Sequence, residues 1–416
     1  MYFQLDFKHM KYQISTDTLH EGIIKLPSSK SISNRVLIIN ALSMSDYPIE
    51  NLSDCDDTNV MLRALDSDSS SFDIGAAGTA MRFLTALLAK TFGQWTITGT
   101  ERMKNRPIKL LVDSINELGG KIEYAEKEGY PPLRIYGSAL EGGELELNGG
   151  VSSQYISALM MIAPYMKHGL TLTLTGTIIS RPYIHLTAEL MRFFGAEVII
   201  ADNKIKVIPG EYQPKPYFVE SDWSAASYWY QIVALSKDLR LELPHLYKNS
   251  WQGDAKGAEL FSLLGVQTHY TKEGVTISKK EITTKKCIYN FVDQPDLAQT
   301  FVVTCCLLNI PFHFSGLQSL KIKETDRMEA LKNEMRKLGY VLTDKNNSIL
   351  EWNGERCEPS NEPIHTYEDH RMAMAFAPAA LKIGKIEICE PHVVSKSYPD
   401  YWKDLKHIGF KMEELG

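Results

Sequence analysis

No apolar run in the 416-residue chain is long enough to cross a bilayer. The longest, over residues 155–165, falls well short of the ~20 residues a spanning helix needs, so no membrane association is expected. The opening segment, MYFQLDFKHMKYQIS, lacks a basic stretch followed by an apolar core, and no secretory leader is expected from it. The six cysteines (Cys55, Cys287, Cys305, Cys306, Cys357 and Cys389) form no CxxC pair and have no histidine at zinc-ligand spacing. They read as reduced thiols of a cytoplasmic protein, and neither a metal site nor a cofactor is expected. Positive charge is not in excess: the formal net charge of −6 argues against nucleic acid as a partner, although a local basic cluster still suits a small anion. The GxxxxGK[ST] pattern of a nucleotide-phosphate loop is missing. So is any Pro/Gly/Ser-rich linker, even though the length calls for two or three domains.

What the chain has is a repeat. A helix ending in an apolar pair, then glycine, then a strand recurs at Gly120, Gly195, Gly265, Gly339 and Gly409, about 70 to 75 residues apart. Glycine there fits the left-handed position that closes a helix before a strand, and the period is too long for a solenoid. Before each junction a small or polar opening runs straight into an apolar helix: SSKSISNRVLIINAL, GAAGTAMRFLTALL, SSQYISALMMIA, SAASYWYQIVAL, PDLAQTFVVTCCL and EDHRMAMAFAPAA. The free N–H groups at such starts carry partial positive charge and can face an anion. Taken singly, each start reads equally well as simple capping of a buried helix. Six together, several with Arg, Lys or Gln in the first turns, point to an anion-facing array. Six units imply an α/β protein of two domains with three units each, the first unit shortened between Asp57 and Ser71. The expected division is residues 1–22 plus 222–416 for one domain and 23–221 for the other, with short extended crossings near residues 21–25 and 217–222.

The charged motifs sit at these starts. Lys30, Ser31 and Arg35 cluster in LPSSKSISNR, as an anion site or a solvated basic helix start. In GAAGTAMR, Gly78 lets a ligand approach the backbone and Arg82 follows one turn on. Arg106 is expected to begin a helix with Pro107 in its first turn. Ser152, Ser153, Gln154, Ser180 and Tyr183 are neutral donors suited to a polyhydroxylated ring, and equally to capping. In KETDR, a helix would place Lys323 and Arg327 on one face beside Glu324. Asp296, His370 in EDHR, and Lys396 complete the set; His370 reads either as a catalytic base or as a structural partner.

The segments PSSKSISNR, AAGTAMRFL, RMKNRPI, SSQYISALM, SRPY, PDLAQT, KETDR, EDHRMAMAF and SKSYPDYW, in this order, resemble the 5-enolpyruvylshikimate-3-phosphate synthase family from about Lys25 to Trp402. The resemblance implies two similar domains, each of three βαβαββ units in an inside-out α/β barrel, with the active site in the cleft between them and closure on anionic substrate. It implies transfer of the enolpyruvyl group of phosphoenolpyruvate to the 5-hydroxyl of shikimate-3-phosphate in aromatic amino acid biosynthesis; with no strong self-association feature in the sequence, a cytoplasmic monomer is expected. By the same resemblance, Lys30, Ser31, Arg35, Ser152, Ser153, Gln154, Ser180, Tyr183, Asp296 and Lys323 match positions for shikimate-3-phosphate. Lys30, Gly78, Arg82, Arg106, Gln154, Arg327, Arg371 and Lys396 match positions for phosphoenolpyruvate. Lys30, Asp296 and Glu324 match the catalytic positions. Three residues depart from the common pattern: Ala76 where Asn is frequent, Phe83 where Pro is frequent, and Ser319 where Asn is frequent; Ala76 and Phe83 are expected to adjoin the phosphoenolpyruvate side. The rival acceptor, UDP-N-acetylglucosamine, goes with an Asn after the early Lys and a reactive loop cysteine, neither of which this chain has. A non-catalytic anion-binding protein on the same fold is the rival of a different class; the intact Asp296 and Glu324 argue against it.

Overall fold

The computed structural model describes residues 10–360 and 362–415. The opening segment, from which no secretory leader is expected, lies through residue 9 outside the described residues. The chain divides into two compact units, one made of residues up to Pro27 together with those from Ser221 on, the other running from Ser28 to Glu220. Each unit has its own apolar core.

One motif builds both units. In the Ser28–Glu220 unit, strand Ser71–Asp73 pairs in parallel with Gly93–Thr98 across helix Gly78–Lys90. Helix Lys109–Glu117 then leads into Lys121–Tyr124 and Leu133–Gly137, which add antiparallel to the same sheet. The same βαβαββ order returns in Gly143–Asn148, Leu170–Thr175, Lys204–Val207 and Val198–Ala201. It returns twice more in the other unit, in the sheets built on Arg240–Pro244 and on Phe312–Ser315. The parallel pair arises because a buried helix carries the chain back between the first two strands; the hairpin needs no such crossover.

Three of the six repeats are completed by strands distant in sequence. In the first, Tyr217–Phe218 pairs in parallel with Ile49–Glu50, and helix Asp56–Leu65 is followed by no hairpin of its own. The fourth opens on Gly22–Ile23, which pairs with Arg240–Pro244. The sixth places Lys11–Thr16 between Lys385–Cys389 and Phe410–Leu415, antiparallel to both. A discontinuous unit follows directly, because its N-terminal strands belong to sheets whose other strands come after Ser221.

Two kinds of helix serve each repeat. Helices Lys30–Leu42, Gly78–Lys90, Ser153–Ile162, Trp223–Leu235, Ala298–Leu307 and His370–Phe376 are buried along most of their length and form the centre of their units. Arg181–Phe193 and Arg327–Lys337 are amphipathic and bury one face against the central helices. Helices inside and sheets outside give the inside-out α/β arrangement. Among the described residues no helix is long and apolar enough to cross a membrane.

The recurring glycine closes helices as expected, with one shift. Gly195, Gly265, Gly339 and Gly409 have φ of 91°, 89°, 87° and 107°. At the first junction it is Gly119 (φ 95°), not Gly120, that turns left-handed. Gly120 follows it, its N–H donating to Ile115 O at 2.9 Å while Gly119 N–H donates to Asn116 O at 3.2 Å. These are the paired bonds of a Schellman closure, which uses the first residue after the cap.

Candidate active site

The three central helices of the Ser28–Glu220 unit begin side by side. Ser29 caps the first, its Oγ accepting from Ile32 N, and Lys30 stands at the first helical position with Nζ 3.6 Å from Asp57. Ser152 caps the third through Gln154 N. Gln154 then reaches sideways, its Nε2 donating to Thr79 Oγ1 of the second helix at 3.2 Å. Ser31 supplies its carbonyl to Arg35, and Ser153 is buried beside its cap. Ser180, in the left-handed conformation (φ 53°), precedes helix Arg181–Phe193, and Tyr183 N bonds back to its carbonyl.

Gly78 is the contact point for two arginines. A Cβ placed on it would lie 2.6 Å from Arg106 Nη1 and 3.0 Å from Arg82 Nη1. Only a glycine lets both guanidinium groups close on the helix start. Arg82 is 4% exposed and donates to Gly78 O at 2.9 Å. Arg106 does not begin a helix: it lies between Glu101–Lys104 and Lys109–Glu117, and the second helix starts only after Ile108. Tyr155 ties this corner together. Its ring lies 5.8 Å from the Arg82 guanidinium, and its hydroxyl donates to Pro107 O, next to Arg106. Motif reading passed over Tyr155 because a tyrosine in an apolar helix reads as core.

Arg35 is 3% exposed. Its Nε donates to Thr187 Oγ1 at 2.7 Å, Nη1 to Ser31 O at 2.8 Å, and Nη2 to Ser157 Oγ at 3.0 Å. The guanidinium carbon sits 5.3 Å from the Phe83 ring centre and 5.7 Å from that of Tyr183. Burial pushes its pKa down to about 10, with Tyr183 pulling the other way.

In the other unit, Asp296 is the hub. Lys323 Nζ lies 3.7 Å from it, Arg327 Nη1 3.1 Å and Arg371 Nη2 3.3 Å. Arg327, 1% exposed, also donates to Glu324 at 2.8 Å and to Asp369 at 2.7 Å. Burial pulls its pKa down, but Asp369, Glu324 and Asp296 together outweigh that and hold it above the ordinary arginine value. KETDR is not helical as expected. Lys323 follows the 3-10 turn Gln318–Ile322 outside any helix, and the helix starts at Arg327 with Asp326 as its cap. Lys323 and Arg327 therefore meet through Asp296 rather than by helical spacing. Asp369 caps helix His370–Phe376 through Arg371 N while receiving Arg327, a double use the EDHR string did not reveal. Lys396 Nζ donates to Glu368 O at 2.8 Å, one residue before Asp369. His370 is 2% exposed and lies 3.9 Å from the Asp369 carboxylate. Arg371 also donates to the Tyr228 hydroxyl at 3.4 Å, and burial pushes that phenol up to about 12 despite the pull of Arg371.

Each unit thus presents buried helix starts lined with cations, and one adds a carboxylate hub. Helix starts of this kind suit anionic ligands. The sequence profile of the family described as EPSP synthase (3-phosphoshikimate 1-carboxyvinyltransferase) matches residues 15–68 and 65–405. A Bacteroides fragilis (strain YCH46) protein named 3-phosphoshikimate 1-carboxyvinyltransferase is 60% identical over 403 residues, covering 96% of this chain and 98% of its own length. One of the same name from Vibrio cholerae serotype O1 (strain M66-2) is 34% identical over 417 residues, covering 92% and 96%. The structure of an EPSP synthase from Acinetobacter baumannii superimposes with a TM-score of 0.78 at 18% identity, over 98% of this chain and 100% of that one. The chain belongs to the EPSP synthase family.

Proposed function

We propose that the chain transfers the enolpyruvyl group of phosphoenolpyruvate to the 5-hydroxyl of shikimate-3-phosphate and releases phosphate. The observation that carries this is Asp296 gripped by Lys323, Arg327 and Arg371 with Glu324 on the same arginine. A donor bearing phosphate and carboxylate needs several cations, and the addition needs two groups that handle protons; this cluster has both. Arg82, Arg106, Arg327, Arg371, Lys396, Gly78 and Gln154 are assigned to phosphoenolpyruvate. Ser31, Arg35, Ser152, Ser153, Gln154, Ser180, Tyr183, Asp296 and Lys323 are assigned to the acceptor, and Lys30 serves both.

In the addition, the 5-hydroxyl oxygen bonds to the enol carbon, its proton passes to Asp296, and the methylene carbon takes a proton from Glu324. In the elimination, the new methyl group returns a proton to Glu324, the C–O bond to phosphate breaks, and the departing phosphate takes up the proton held by Asp296, with Lys30 supporting its charge. Protons and electrons balance over the two steps, and the enzyme ends as it began. The six cysteines are free thiols, five of them buried, which suits a reducing compartment. The same reading has the chain act as a cytoplasmic monomer in aromatic amino acid biosynthesis.

The names of the relatives favour shikimate-3-phosphate over UDP-N-acetylglucosamine as acceptor. Phosphate release measured with each acceptor tests this. Release with shikimate-3-phosphate alone is expected; none with it would overturn the assignment. Asp296→Ala and Glu324→Gln are each expected to lose turnover at least 100-fold, the scale of a positioned acid or base.

A further inference from the structure

Phe83 belongs to none of the residues assigned above. It is fully buried on helix Gly78–Lys90, directly after Arg82, and its ring faces the Arg35 guanidinium at 5.3 Å. Tyr183 lies at 5.7 Å. Among the described residues, Arg35 donates to neutral acceptors: two hydroxyls and one carbonyl. These use three of the five N–H groups an arginine has and leave two for a ligand.

A buried cation needs stabilisation, and the way it is supplied decides what else the cation can bind. A carboxylate partner would hold Arg35 firmly but cancel the charge an anionic ligand must feel. An aromatic face attracts the cation through its quadrupole, more strongly where water is excluded, and adds no net negative charge. The two rings and the neutral bonds therefore fix the guanidinium while leaving its charge available.

We infer that Phe83 is a positioning residue for the acceptor: through its ring it holds Arg35 in the orientation and charge state that meet the acceptor's anion. This rests on the assignment of Arg35 to shikimate-3-phosphate. The helix that points Arg82 at the donor side thus supports the acceptor side with its next residue.

The ring's quadrupole is separable from its shape. Site-specific replacement of Phe83 by mono-, di- and trifluorinated phenylalanine in the full chain weakens the π face stepwise at nearly constant volume. The expected result is a stepwise rise in the dissociation constant of shikimate-3-phosphate by titration calorimetry, about three- to tenfold over the series. The KM for phosphoenolpyruvate, kcat and the melting temperature should stay flat. Phe83→Leu should raise the acceptor KM by a similar factor with kcat kept. An acceptor constant that stays flat across the series, while Arg35→Lys weakens acceptor binding, would overturn the inference alone. Acceptor binding unchanged in Arg35→Lys would overturn the assignment beneath it as well. Melting temperature and both substrate constants moving together would make Phe83 a packing residue and end the proposal.

Discussion

Arg327 brings three carboxylates onto one buried guanidinium, so its removal does more than delete a contact. Arg327→Met would leave Asp296, Glu324 and Asp369 close together with their main counter-ion gone. Breaking a buried charge network from one side costs about 3–5 kcal/mol. Chemical denaturation is expected to show that loss, with activity abolished. Arg327→Lys keeps the charge but not the planar fork, and should keep much of the stability while losing most of the activity. Gly78 offers the converse case. The Cβ of Gly78→Ala would push aside the ends of two flexible arginine side chains, which costs the fold little. The expected result is an unchanged melting temperature and a phosphoenolpyruvate KM raised about tenfold, the equivalent of ~1.4 kcal/mol, read by steady-state kinetics.

Helix starts show how local rules and distant contacts share the work. Ser29, Ser152, Asp222, Asp326 and Asp369 each accept a backbone N–H of the helix they precede. Those caps were legible in the strings, as were the apolar helices and the period of the repeat, because they depend on neighbours within a few residues. KETDR was not, since its lysine is placed by Asp296, which precedes another helix of the same repeat. Nor were Thr187 and Ser157 around Arg35, which converge from two helices and read separately as ordinary interior residues, nor the position of Phe83 against Arg35. Asp254 is a further case. It is 5% exposed, in the short turn Gly253–Lys256, and accepts a hydrogen bond from Ser224 at the start of helix Trp223–Leu235. Burial, with Asp296 adding repulsion, pushes its pKa up to about 7. A carboxyl raised in the folded state binds its proton more tightly there than in the unfolded chain. Its contribution to stability is therefore full below about pH 4 and is lost as pH rises through about 7, on the order of 4 kcal/mol by linkage. Asp254→Asn should flatten that part of the stability profile in urea titrations run between pH 4 and 8.

At the scale of the whole chain, the two units differ in what they need. Ser28–Glu220 contains every strand of its own sheets, including the late Tyr217–Phe218 that completes its first repeat. Expressed alone, it is expected to fold cooperatively by circular dichroism. Residues 221–416 alone lack Lys11–Thr16, the middle strand of a three-stranded sheet, and Gly22–Ile23, the edge strand beside Arg240–Pro244. That fragment should remain unfolded or aggregate; a cooperative transition from it would refute the account. Two-residue strands paired across roughly 170 to 220 positions leave almost no periodic signal, which is why the sequence shows six units without showing who completes whom.

The interleaving also sets a timetable for synthesis. Strand Lys11–Thr16 leaves the ribosome about 370 residues or more ahead of its two neighbours, Lys385–Cys389 and Phe410–Leu415. At about 5–20 residues per second the early strand waits on the order of 20 to 80 s without its sheet. Meanwhile Ser28–Glu220 has all its partners and can settle first. Its ends are already stitched, Ser29 N–H donating to Glu220 O at 2.8 Å. The nascent chain would then carry a finished unit while both edges of an early strand stay open to unrelated partners, and that interval is where chaperone engagement should concentrate.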